Sequence, residues 1–145
     1  MKKIVSTSLN DTQALARDFL ASLPIDREEA TVVGLYGNLG AGKTAFTQAL
    51  ARELGILEDI TSPTFVIEKI YQIVHAKFAR LIHIDAYRLE NGQELQNLDF
   101  EAEVSNKNNL IVIEWPENVK EILPEGILKV QFEHTGGDSR EIIFN

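Results

Sequence analysis

Gly37-Asn38-Leu39-Gly40-Ala41-Gly42-Lys43-Thr44 has the residue types and spacing of G-x-x-x-x-G-K-[ST], a loop that binds phosphate. Its glycines let the backbone curl so that successive N–H groups point inward at phosphate oxygens. Lys43 adds a mobile cation that can reach β- and γ-phosphates, and Thr44 offers a hydroxyl to Mg²⁺. Position 45 is Ala45, so no second hydroxyl follows. Two carboxylates are candidates for the remaining chemistry. Asp85 follows the short apolar-rich stretch Arg80-Leu81-Ile82-His83-Ile84, and Glu114 closes Leu110-Ile111-Val112-Ile113. An acid after four aliphatic residues is the Walker B pattern, whose carboxylate binds Mg²⁺ directly or through water. An acid at a strand's carboxyl end is where α/β proteins place chemistry; Asp85 could position a water or take its proton, or serve only as a turn cap.

The elements around these residues must hold them in place. Ala30 to Tyr36 reads as a buried strand leading into the loop. Lys43 to Leu54 reads as the helix leading out, with Phe46, Ala49, Leu50 and Leu54 on one face and Gly55 as its stop. That helix aims its positive dipole end at the same anion. Upstream, Lys3 to Thr7 is a short strand. Asn10 and Gln13 have the spacing of a capping box for a helix over 11–22, with Leu15, Ala16, Phe19 and Leu20 inward and Pro24 beyond its end. Thr12 is a candidate base contact or a plain helix-start residue.

Downstream, Thr61-Ser62-Pro63-Thr64-Phe65 is a proline turn. Thr64 could act as a γ-phosphate sensor in a switch-like segment, or the turn could simply join helix to strand. Val66 to Val74 and Arg80 to Ile84 read as adjacent strands, which makes the sheet mixed. Short helical pieces follow over 90–105, anchored by Leu95, Leu98, Phe100 and Val104. A short helix over 117–123 comes next, and a C-terminal β-hairpin turns at His134 to Ser139. Trp115 reads as a core aromatic or as a lid over the site. Arg140 reads as a nucleotide contact or as an exposed strand-start charge. The resulting fold class is α/β: a three-layer sandwich like those of P-loop nucleotidases, with a mixed, mainly parallel central sheet and a C-terminal hairpin, in one domain over 1–145.

Composition narrows the function classes. The 145 residues contain no cysteine, which excludes disulfides, thiolate metal ligands and a thiol nucleophile. His75, His83 and His134 share no metal-ligand spacing. The N-terminal sequence lacks a signal-peptide core, and no apolar run approaches membrane-spanning length, so the expected compartment is the cytoplasm. Net charge is −8 and the basic residues are scattered, unlike a chain that grips nucleic acid by itself. A small-molecule kinase is one alternative, but such enzymes use an arginine-bearing lid, and the six arginines here are not clustered. A second alternative is a switch in which nucleotide occupancy, not hydrolysis, governs assembly.

Four segments stand in order: the loop at 37–44, Ser62-Pro63-Thr64-Phe65, His83-Ile84-Asp85-Ala86-Tyr87-Arg88-Leu89 and Ile113-Glu114-Trp115-Pro116-Glu117. This series resembles the TsaE family, formerly YjeE, of small bacterial P-loop ATPases. The last two segments are its more diagnostic motifs. The resemblance implies ATP and Mg²⁺ as cofactors, and a role in forming N6-threonylcarbamoyladenosine in tRNA beside the anticodon. It implies TsaD and TsaB as partners: they carry out the transfer and bind the tRNA, while the ATPase supports turnover. Carried onto this chain, it implies that Gly37, Asn38, Leu39, Gly40, Ala41, Gly42, Lys43 and Thr44 hold the phosphates, and that Thr44 and Glu114 hold Mg²⁺. Asp85 is then the acid/base or water-positioning residue, Trp115 is functionally sensitive, Thr64 is in the switch, and Arg88 is near the partner or the phosphates. One departure is local: Leu98-Asp99-Phe100 stands where a leucine-glycine pair is commoner.

Overall fold

The computed structural model describes residues 2–38, 40–60 and 67–145. The sequence expectations for Leu39 and Thr64 therefore lie outside the described residues. Strands β1 (Lys2–Ser6), β2 (Thr31–Tyr36), β3 (Glu68–Gln72), β4 (Arg80–Asp85), β5 (Asn109–Glu114), β6 (Leu128–Gly136) and β7 (Ser139–Phe144) form one sheet in the order β1-β7-β6-β2-β5-β4-β3. The middle strands β6, β2, β5 and β4 run parallel, and the β1–β7, β7–β6 and β4–β3 pairs are antiparallel. The expected mixed sheet and C-terminal hairpin are both present.

Helices cover both faces, which is why the central strands are apolar along nearly their whole length. Alternation along each strand sends Val33, Leu35, Leu81, Leu110 and Val112 to one face, where they pack with helices α1 (Leu9–Ser22) and α2 (Lys43–Glu53). Val32, Ile82, Ile84, Ile111 and Ile113 go to the other face. There they meet Leu95 of α3 (Gln93–Asn97), Phe100 of α4 (Phe100–Val104) and Val119 of a 3-10 helix, Pro116–Ile122. The helix leaving the phosphate loop is anchored by Phe46. Its ring lies 5.8 Å from Phe19, 5.5 Å from Phe132 and 6.2 Å from Phe144, separations at which aromatic pairs attract.

Several local expectations are corrected. The N-cap of α1 is Ser8, whose Oγ accepts from Asp11 N at 3.1 Å, not Asn10. Gln13 is no capping-box partner. Its amide donates to Ala49 O and Glu53 Oε1 and ties α1 to α2. Leu98 is exposed, not an anchor. The helix placed over 117–123 is a 3-10 helix that starts at Pro116 and kinks at Val119. Asp99 adopts φ 63°, ψ 39°, left-handed backbone that costs a residue with a Cβ and suits glycine.

Candidate nucleotide and metal site

The site is built at the carboxyl ends of β2, β4 and β5. Gly37, Gly40 and Gly42 have φ of 143°, 78° and 109°. At Gly37 a Cβ would also stand 2.6 Å from Phe132 O, so both torsion and close backbone approach require glycine there. Gly42 is the N-cap of α2, which turns the first N–H groups of that helix toward the loop. Ala41 is buried, whereas Asn38 and Gly40 are exposed on the loop.

Parallel pairing brings the two acids together. Asp85 and Glu114 are register partners on β4 and β5, so their side chains emerge on the same face, the one covered by α2. Thr44 Oγ1 donates to Glu114 Oε1 at 3.2 Å. The other carboxylate oxygen, Oε2, lies 2.7 Å from His83 Nε2, and both side chains are essentially excluded from solvent (0% and 3% exposed). Asp85 is less buried. Its Oδ1 accepts from Tyr87 N at 3.0 Å, so it does cap the turn after β4 while still facing the loop lysine.

Lys43 is 4% exposed. Its Nζ donates to Gly37 O at 2.5 Å and sits 3.5 Å from the centre of the Trp115 ring. Burial pushes its ammonium below the ordinary lysine range, and the carboxylates of Glu114, Glu117 and Asp85 oppose that fall. Trp115 reaches this position because its backbone turns left-handed, at φ 60°, directly after β5. Tyr87 packs beside it, ring centres 5.1 Å apart. Arg88 stands exposed on the same turn as Tyr87.

On the far side of the loop, Thr7, Asn10, Thr12, Gly42, Ala45 and Arg140 line a cleft of about 420 Å³. The Arg140 side chain runs alongside Gly42, where an added Cβ would stand 3.6 Å from its Cδ. Thr12 lines the cleft, but its hydroxyl is already bonded to Ser6 Oγ at 2.9 Å. The structure thus gathers Lys43, Thr44, Asp85, Glu114 and Trp115 in one place, puts Thr12 and Arg140 at its other end, and leaves Arg88 at the rim.

Sequence reasoning assigned no part here to His83, Glu117 or Tyr87. For His83 one signal was available. It lies two residues before Asp85 on the same strand, so period-2 alternation puts both on one face.

Thr44 and Glu114 meet through oxygen atoms, a hydroxyl and a carboxylate. Among the described residues no group of three or more His, Cys, Asp or Glu could enclose an ion. Few protein oxygens, completed by phosphates and water, is the arrangement that suits Mg²⁺. Among the described residues no helix is long and apolar enough to cross a membrane.

Comparison with known proteins shows the family. The sequence profile described as "Threonylcarbamoyl adenosine biosynthesis protein TsaE" matches residues 6–142. The tRNA threonylcarbamoyladenosine biosynthesis protein TsaE of Streptomyces coelicolor is 39% identical over 111 residues, 76% of this chain and 73% of that protein. The protein of the same name from Bacillus subtilis is 39% identical over 113 residues, 78% of this chain and 68% of that protein. The crystal structure of Bacillus subtilis YdiB superposes with a TM-score of 0.73 at 30% identity, covering 99% of this chain and 83% of that one. The chain therefore belongs to the TsaE family.

Proposed function

We propose that this protein is a Mg²⁺-dependent ATPase that acts in the cytoplasm in N6-threonylcarbamoyladenosine modification of tRNA. In this reading it supports turnover of a TsaD–TsaB transferase without performing the transfer itself. The observation that carries the reading is the meeting of Lys43, Thr44, Asp85 and Glu114 at the ends of β2, β4 and β5. The names of the relatives supply the pathway.

In this reading the loop N–H groups from Gly37 to Thr44 and the start of α2 bind the phosphates. The adenine end points toward the cleft lined by Thr12 and Arg140. Thr44 and Glu114 are the residues that would hold Mg²⁺, which when bound neutralises charge on the β- and γ-phosphates. Lys43 donates to the phosphate oxygens with the N–H groups that Gly37 O does not use. Asp85, held in orientation by Tyr87 N, positions the attacking water or accepts its proton. Trp115 covers the lysine, and Trp115, Arg88 and Thr64 are the residues assigned to switching and partner coupling.

The negative net charge supports leaving the tRNA to the partners. Turnover of ATP by the chain with TsaD and TsaB tests the proposal. Lys43→Ala and Glu114→Ala are each expected to lower it by about 10²-fold or more, the usual effect of deleting a preorganised charge-stabilising group. Unchanged turnover in both folded variants would overturn the ATPase reading.

A further inference from the structure

His83 has no part in the function proposed above, yet it is fully buried and touches the centre of the site. It sits on β4 two residues before Asp85, facing α2, and its Nε2 lies 2.7 Å from Glu114 Oε2. The opposite oxygen, Oε1, is the one within 3.2 Å of Thr44 Oγ1. We infer that His83 is a positioning residue: its Nε2–H holds one oxygen of Glu114 so that the other is presented to Thr44, the residue with which Glu114 would hold the ion.

Three observations support this. A glutamate carboxylate swings about several side-chain torsions, and a bond to one oxygen fixes both its place and its plane. The partner of Nε2 is an acceptor when ionised, so that nitrogen carries the proton. His83 Nδ1 has no hydrogen-bond partner among the described residues, so the ring's polar contact in this environment is the one with Glu114. Outer groups that orient a metal-ligating carboxylate in this way usually change metal affinity about 10–100-fold when removed.

The role rests on the proposed reading of Glu114 as an ion ligand. Its test is the affinity of Mn²⁺ for the chain in the presence of ADP, followed by electron paramagnetic resonance. His83→Leu is expected to weaken Mn²⁺ binding about 10–100-fold. ADP binding measured in EDTA should be unchanged. His83→Gln, whose amide N–H can reach the same oxygen, should recover most of the loss, whereas the shorter His83→Asn should not. In a Glu114→Gln background, His83→Leu should add nothing further.

Wild-type Mn²⁺ affinity in folded His83→Leu would overturn the inference. So would a metal-free ADP affinity that falls in step with the metal affinity. If His83→Leu does not fold, the Gln and Asn variants decide: equal Mn²⁺ affinities overturn the inference. A wild-type chain that binds no Mn²⁺ with ADP would overturn the ion-ligand reading of Glu114 itself, and the positioning role with it.

Discussion

Lys43 and Trp115 form the contact at the site most open to a direct measurement. An ammonium 3.5 Å from an indole centre is a close cation–π pair, worth about 0.5–2 kcal/mol depending on how far it is desolvated. It is held by a tryptophan whose left-handed backbone is itself unfavourable. Phosphate oxygens are stronger acceptors for the Lys43 ammonium than the face of a ring, so nucleotide should draw it off the ring. Trp115 is the chain's single tryptophan, and its emission therefore reports the move without labelling. Mg²⁺ and ADP are expected to change the emission of the wild-type chain. Lys43→Ala should change the ligand-free spectrum and abolish the response. Identical ligand-free spectra for the two proteins would mean that the ring and the ammonium do not meet in solution.

At the scale of elements, a pair of carboxyl groups joins β3 to α4. Glu68 opens β3 on the face opposite the nucleotide site, and Glu103 lies on α4. Burial, then the hydrogen bond and charge of Glu68, raise Glu103 to about 8, with Arg80 opposing and Asp99 adding to the rise. Glu68 is raised as well, by burial first. The folded chain thus holds a proton that the unfolded chain releases above about 4.5. The stabilisation is whole below that pH and is lost as pH climbs toward about 8. Glu103→Gln keeps a neutral group at this junction. After a discount for partial exposure, the variant should shrink the drop in Tm between pH 5 and pH 8 by about 2–4 °C, the equivalent of about 1 kcal/mol. Thermal unfolding at the two pH values checks this, and parallel losses in variant and wild type would show that the pair does not share a proton.

Across the whole molecule, 22 acidic residues stand against 14 basic ones. A net charge of −8 opposes the electrostatic, counterion-releasing grip that supplies most non-specific binding to nucleic acid. Filter binding at about 0.15 M salt should therefore detect no tRNA complex tighter than the roughly 10⁻⁴–10⁻⁶ M of non-specific binding. Retention should appear only when TsaD and TsaB are added. Nanomolar binding by the chain alone would contradict the division of labour proposed here.

The phosphate loop, the acid after Leu110–Ile113 and the strand–helix alternation were legible because each is a local pattern. Glycine at positive φ, a run of aliphatics ending in a carboxylate and period-2 or period-3.6 burial are all properties of a few consecutive residues. The loss of Asn10 as a cap and of Leu98 as an anchor shows the limit of such signals. Ser8, two residues earlier, competes for the same role with the same chemistry, and a short helical piece with one buried face can be rotated by its neighbours. His83 against Glu114 depends on which strands are neighbours and in which register, since the two residues are 31 apart in the chain. Arg140 comes to lie beside Gly42 because β7 is inserted between β1 and β6. These contacts arise from long-range pairing of strands, where burial of two faces at once selects a single register, and no short window of sequence carries that information.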